Sequence, residues 1–231
     1  MGSFKTLKAA DGHELQAYVA TPEGPVVGAL VVIQEIFGVN ASIRGVADSY
    51  AKDGFLAVAP AIFDRIEPGI ELAYDGEDLK KAYSLYGELP GLIPKTLLDI
   101  GAAFDEAKSQ SGKDVGVVGF CFGGLLSWLT ATRGETVKIK PACAIGYYPG
   151  GIGKVATEEP TCPVLLNFGG ADSHIGADQI EAVRSAHPEV EIHLYDGAEH
   201  AFANDKRVSF NPEAAKLARE RSLAFLKTHI A

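Results

Sequence analysis

The segment Val115-Gly-Val-Val-Gly-Phe-Cys-Phe-Gly-Gly124 holds a cysteine in the pattern Gly119-x-Cys121-x-Gly123. An apolar, β-branched run leads into it and a second apolar stretch follows, the layout of a buried strand that turns sharply into a helix. With serine at the centre, this spacing is the turn that presents a nucleophile, and its glycines are needed because flanking side chains would clash in so tight a turn. A sulfur there sits at the positive end of the helix dipole, which favours a thiolate. Backbone N–H groups of the first helical turn are free to receive an oxyanion, and that of Phe122 is the expected donor. Two other residues complete the chemistry. Asp172 ends the segment Val164-Leu-Leu-Asn-Phe-Gly-Gly-Ala-Asp172, and His200 ends Glu191-Ile-His-Leu-Tyr-Asp-Gly-Ala-Glu-His200. Each follows a strand-like run, so Cys121, Asp172 and His200 can meet at one edge of a sheet, in the order nucleophile, acid, histidine. In that arrangement His200 takes the thiol proton and later directs water onto a thioester, while Asp172 fixes the imidazole tautomer and stabilises its cation.

Each residue also has a plain structural reading. Free cysteines are commonly buried, Asp172 could cap the helix near Ala177, and His200 could be a surface-loop histidine. The glycines do not make a dinucleotide fingerprint, because Cys121 stands at the second glycine position of G-x-G-x-x-G. His174 reads as a loop residue, and Cys143, in a strand-like run, and Cys162, beside Pro163, read as structural. Three cysteines without a C-x-x-C pair support neither a disulfide framework nor a zinc knuckle. None of the six histidines stands in an H-x-x-x-H pair, so neither metal nor cofactor is expected.

The elements that must position these residues alternate. Strand-like runs are read at 15–20 (an exposed early strand), 29–33, 55–59, 115–118, 142–147, 164–168 and 191–195. Helical spacing is read at 43–52 with Ser42 as N-cap, and at 77–86, 94–108, 122–132, 177–186 and 212–227, the last starting at Pro212. The pattern predicts an α/β fold over residues 1–231, one domain with a central, mainly parallel sheet flanked by helices. Residues 60–94 carry no strand signal and read as an insertion over the end of the sheet where ligands bind.

A formal net charge of −9 argues against nucleic acid and against an anionic membrane surface. No apolar run approaches the roughly 20 residues that span a bilayer. Gly2 with Thr6 fits the permissive myristoylation pattern, but the start reads as a first β-strand. Cysteine usage and the lack of a secretory signal place the expected home in the reducing cytoplasm.

Four segments together resemble the dienelactone hydrolase (carboxymethylenebutenolidase) family of α/β-hydrolases: Gln34-Glu-Ile-Phe-Gly-Val-Asn40, Gly119-Phe-Cys-Phe-Gly-Gly124, Gly169-Gly-Ala-Asp172 and Glu199-His-Ala-Phe202. The resemblance implies the α/β-hydrolase fold, a triad of Cys121, His200 and Asp172, a buried Glu35 that partners the resting thiol, and a second oxyanion donor at the Ile36 backbone N–H. It also marks two departures. The family's two carboxylate-binding arginines fall at Leu79 and Asn204 here, with Arg65, Lys80, Lys81 and Lys206 near in sequence. Phe37, Tyr83, Tyr86, Tyr147 and Phe202 are candidate pocket walls, and Asn204 and Arg65 candidate polar contacts. The expected activity is hydrolysis of small esters or lactones through a Cys121 thioester. Proteolysis is disfavoured because thiolate leaves a tetrahedral intermediate more readily than an alkylamine does. The alternative is a non-catalytic scaffold that binds a small molecule. The expected partner is a small substrate, and the expected state a monomer or small homo-oligomer.

Overall fold

The computed structural model describes residues 2–230. Eight strands form one sheet: β1 (Ser3–Lys8), β2 (Glu14–Ala20), β3 (Gly28–Ile33), β4 (Phe55–Pro60), β5 (Val115–Phe120), β6 (Ala144–Tyr147), β7 (Val164–Gly169) and β8 (Glu191–Tyr195). Their order is β1-β2-β4-β3-β5-β6-β7-β8. β1 and β2 pair antiparallel, β2 pairs antiparallel with β4, and all later pairings are parallel. Every residue of β3 to β7 is buried. Both faces of the sheet are therefore covered, as continuous apolar runs require. The helices that cover them are α1 (Ala41–Lys52), α2 (Gly76–Glu88), α3 (Ile93–Ser111), α4 (Phe122–Arg133), α5 (Ala177–Ala186) and α6 (Pro212–His229). Among the described residues no helix is long and apolar enough to cross a membrane.

Two local expectations change. β2 is not an exposed strand: Ala17 to Ala20 are buried because β4 pairs with them from the inner side. The cap of α1 is Asn40 rather than Ser42, since the Asn40 side chain accepts from the Ser42 and Ile43 amides. Between β4 and α3 the chain forms two 3-10 turns and α2. Leu72 donates its amide to the Phe37 carbonyl, and Gly38 bridges to Glu71. These bonds tie the insertion to the loop after β3, at the carboxyl edge of the sheet. Gly38 has φ +80°, and a Cβ there would lie 1.8 Å from the Ile70 carbonyl oxygen, so only glycine lets the two segments meet.

Candidate active site

β5 ends at Phe120 and α4 starts at Phe122, so Cys121 alone makes the turn, with φ 55° and ψ −116°. A non-glycine residue in this region costs about 1–3 kcal/mol, and the surrounding packing must impose it. The Cys121 amide donates to the Tyr147 carbonyl at 2.9 Å, and its carbonyl accepts from the Leu125 amide at 3.2 Å. A Cβ on Gly119 would lie 1.9 Å from the Gly123 carbonyl oxygen, so the glycine lets the first turn of α4 fold back over the end of β5.

Three strand ends then converge. Cys121 Sγ lies 3.2 Å from His200 Nε2, and His200 Nδ1 lies 2.8 Å from Asp172 Oδ2. The other Asp172 oxygen accepts from the amides of His174 (2.8 Å) and Ile175 (3.2 Å). Burial works to raise the Asp172 pKa, yet the His200 ring and these amides hold it below the usual carboxylate range. Burial likewise opposes a charged His200, but Asp172 on one ring nitrogen and the sulfur on the other raise its pKa to about 10. Ser209 Oγ donates to the His200 carbonyl at 2.6 Å, and Ala201 follows with φ 63°. The amides of Phe122 and Ile36 donate to no protein acceptor among the described residues.

Glu35 is 2% exposed, and burial raises its pKa against the pull of Arg207, Asn204 and His200. Its Oε2 accepts from Asn204 Nδ2 at 2.8 Å, and the same amide donates to Tyr74 Oη at 3.0 Å. The structure therefore departs from the expectation that Glu35 partners the thiol. The imidazole already satisfies the sulfur, and the Asn204 amide satisfies the carboxyl. Asn204 itself is buried behind Glu35 and is not a wall of the pocket.

The pocket over Cys121 has a volume of about 220 Å³. Ile36, Phe37, Tyr83 and Tyr86 line it, with Glu35 and His200. Three expected contacts are placed elsewhere. Tyr147 is buried, its ring stacked on Phe120 and its hydroxyl 2.7 Å from Ser222 Oγ. Phe202 is fully buried, with its ring packed against Tyr148 and Tyr195. Arg65 binds Asp99 through Nε at 2.5 Å and Nη2 at 2.7 Å and reaches Asp11 at 2.8 Å, which occupies the whole guanidinium. Lys80, Lys81 and Lys206 pair with Glu77, Glu67 and Asp205.

Two pocket residues were not anticipated. Arg207 lines the cavity with its guanidinium 5.3 Å from the Phe37 ring centre and 5.2 Å from that of Tyr74. It has no carboxylate within ion-pair distance among the described residues. Asn204 N bonds to Ala201 O and Arg207 N to Asn204 O, so two successive turns bring residue 207 back to the site. His174 also lines the cavity, stacked on His200 with ring centres 4.9 Å apart. Burial raises the thiols of Cys143 and Cys162 to about 12, which leaves both protonated and inert at neutral pH. Glu159, His187 and Glu189 could hold a cation between them, with ligand atoms within 4.8 Å, but none of the three lines this pocket.

A sequence model of the dienelactone hydrolase family matches residues 15–230. The carboxymethylenebutenolidases of Pseudomonas putida and of Pseudomonas knackmussii are each 33% identical over 229 residues, covering 96% of this chain and 94% of theirs. A crystal structure from Klebsiella pneumoniae, of a chain named for the same family, superposes with a TM-score of 0.79 at 28% identity, covering 97% of each chain. The dienelactone hydrolase-like phosphotriesterase P91, from metagenomic libraries, superposes with a TM-score of 0.78 at 18% identity over 100% of this chain and 99% of its own, a likeness of fold alone.

Proposed function

The chain belongs to the dienelactone hydrolase family and is a hydrolase of lactones or esters, and on that premise we propose that it works through a thioester on Cys121, with His200 as base and Asp172 as the group that orients it. The observation that carries the reading is the unbroken line from Asp172 through His200 to Cys121, at 2.8 and 3.2 Å. The Sγ proton passes to His200 Nε2 and the thiolate adds to the carbonyl carbon. The carbonyl oxygen becomes an oxyanion and is received by the Phe122 and Ile36 N–H groups. The carbon–oxygen bond to the leaving group then breaks, and the departing oxygen takes the proton from Nε2. Water next gives a proton to His200 and adds to the thioester. The carbon–sulfur bond breaks, the proton returns to sulfur, and the carboxylic acid departs. Asp172 stays ionised throughout, which fits its depressed pKa.

A cavity of about 220 Å³ lies below the roughly 300–1,000 Å³ of drug-sized sites, so the favoured substrates are small acyl groups or single-ring lactones. Phe37, Tyr83 and Tyr86 supply apolar wall, and Arg207 supplies a positive charge that favours substrates with an anionic group. Glu35 acts at one remove: its carboxyl faces the imidazole and favours the imidazolium–thiolate pair. The complete line of acid, base and nucleophile gives the binding-only reading no support.

The test is hydrolysis of p-nitrophenyl acetate by wild type and Cys121→Ala, with intact-mass detection of an acetylated intermediate. Turnover is expected to fall about a thousandfold or more in the variant, with the adduct lost. Full turnover by Cys121→Ala, or acetylation of another residue, would overturn the mechanism.

A further inference from the structure

A second cavity, of about 450 Å³, lies between α1 and α6 and is larger than the catalytic pocket. Val46 and Ser49 of α1 face Ala215 and Arg219 of α6 across it, and Phe120 and Tyr147 close it at the ends of β5 and β6. Cys121, His200, Asp172 and Glu35 do not line it.

The polar groups of this cavity are rich in donors and incompletely paired. Tyr50 Oη and Arg219 Nη1 are buried, and neither has a hydrogen-bond partner. The Arg219 guanidinium stacks 3.6 Å from the Tyr50 ring centre, and its other terminal nitrogen bonds to Asp53 at 2.6 Å and Ser49 at 3.4 Å. At the rim Lys206 and Asp205 neutralise each other at 3.1 Å. Unpaired buried donors are rare in folded proteins, and here both belong to residues that line a single void. A guanidinium N–H and a phenol O–H can both donate to one carboxylate. The remaining surface, Val46, Phe120 and Tyr147, offers an apolar and aromatic bed for the rest of such a ligand.

We propose that this cavity is a second ligand site, specific for small monocarboxylates with an apolar body, and that its occupancy changes turnover at Cys121. Acids of this class are what ester or lactone hydrolysis releases, so the site reports product. That last link depends on the function proposed above, whereas the site itself does not. The coupling route is short. Ser42, in the cavity lining, donates its hydroxyl to Asn204 Oδ1 at 3.0 Å, and Asn204 Nδ2 donates to Glu35 Oε2 at 2.8 Å. Ala203 and Asp205, on either side of Asn204, line the second cavity, while Glu35 lines the first. Phe120, in the second cavity, is bonded directly to Cys121.

Benzoate is the probe. In an amide-resolved NMR titration of the intact chain, the Gly45, Ser49 and Ala215 amides are expected to shift as one set, with an affinity separate from any shift at Gly150, Gly151 and His174 of the catalytic pocket. A Cβ at Gly45 would meet nothing within 4 Å, so Gly45→Leu adds bulk to this lining without a backbone clash. It is expected to weaken the first set by about tenfold or more, and Ala215→Met, which fills from α6, to do the same. With p-nitrophenyl acetate as substrate, benzoate is expected to change kcat of wild type, and this effect is lost in Gly45→Leu while kcat/KM without benzoate stays at the wild-type value. Shifts confined to the catalytic pocket, or a Gly45→Leu chain that binds benzoate as wild type does, would overturn the site. Binding with unchanged kcat would overturn the coupling. Because the titration needs no turnover, loss of the Cys121 mechanism would leave it readable.

Discussion

Gly123 is where the two sides of the candidate oxyanion site press together, and Gly123→Ala tests whether that closeness matters. A Cβ at this position would lie 2.4 Å from the Gln34 carbonyl oxygen, 2.5 Å from that of Ile33 and 2.8 Å from the Ile33 carbonyl carbon. The obstacles are backbone, so no side chain can swing away to relieve them. Ordinary contact begins near 3.4 Å, and the first turn of α4 and the end of β3 must part by about 1 Å. The gap opens between the Phe122 amide, next to Gly123, and the Ile36 amide, two residues beyond Gln34. A misplacement of about 1 Å costs roughly 10²-fold in rate, and loss of one oxyanion donor costs about 10²–10³-fold. We therefore expect kcat on p-nitrophenyl acetate to fall by about 10²-fold with little change in KM, because the displaced groups act on the transition state. Overpacking of this kind costs about 1–3 kcal/mol, and each kcal/mol lowers Tm by roughly 2–4 °C in a chain of this length. Steady-state kinetics and calorimetry on the same preparation give both numbers. Gly87→Ala is the control: it lies in α2, its Cβ would meet nothing within 4 Å, and it should keep full activity. A folded Gly123→Ala enzyme with kcat within about threefold of wild type would refute the claim that this packing sets the two donors.

Four further outcomes are expected. Asp172→Asn should fold, since an amide oxygen can still accept from the His174 and Ile175 amides, but lose about 10⁴-fold in kcat because it favours the wrong His200 tautomer; a loss under tenfold would remove Asp172 from the mechanism. Glu35→Gln should lose activity yet gain stability at about pH 8, because burial raises the pKa of Glu35 above 4.5 and the fold then disfavours its charge; the gain should vanish near about pH 4, where the carboxyl is neutral in both states, and equal Tm shifts at both pH values would refute this. Arg207→Gln should lower kcat/KM for carboxylate-bearing esters by about tenfold while sparing p-nitrophenyl acetate, and equal losses on both would mean that Arg207 acts on the fold rather than the substrate. Iodoacetamide at mildly alkaline pH should label Cys121 first in a peptide map, since burial raises Cys143 and Cys162 to about 12; earlier labelling of either would count against the nucleophile.

The strands and the catalytic candidates were readable from the sequence for one shared reason. Buried parallel strands read as unbroken apolar runs, and each of Cys121, Asp172 and His200 comes at or shortly after the carboxyl end of one such run. Parallel register then lines those ends up: Phe120 stands opposite Tyr147, Tyr147 opposite Asn167, and Gly169 opposite Tyr195. The burial of β2 was hidden because one strand's composition does not say which neighbour pairs with it, and β4 lies 35 or more residues away in each registered pair. Asn40 and Ser42 are both good caps by type, and only the hydrogen bonds to the Ser42 and Ile43 amides decide between them.

The pocket walls were readable only in part, because no strand register fixes them. Tyr147 and Phe202 are aromatic and adjacent to the site in sequence, yet both side chains pack into the interior, toward Ser222 and Tyr195. Arg65 looked free because its partner Asp99 is 34 residues distant. Arg207 escaped because a search four residues past His200 finds Asn204, whereas the chain makes two turns there and sets its cation three residues later. The result is a division of labour. Residues that transfer protons and form bonds hang from the ends of a sheet whose ladders resist displacement. Residues that choose the substrate, Phe37, Tyr83, Tyr86 and Arg207, sit on the loop after β3, on α2 and on the turns before α6. The second group can therefore change without moving the first, and substitutions that alter substrate preference at constant Tm should fall in those segments.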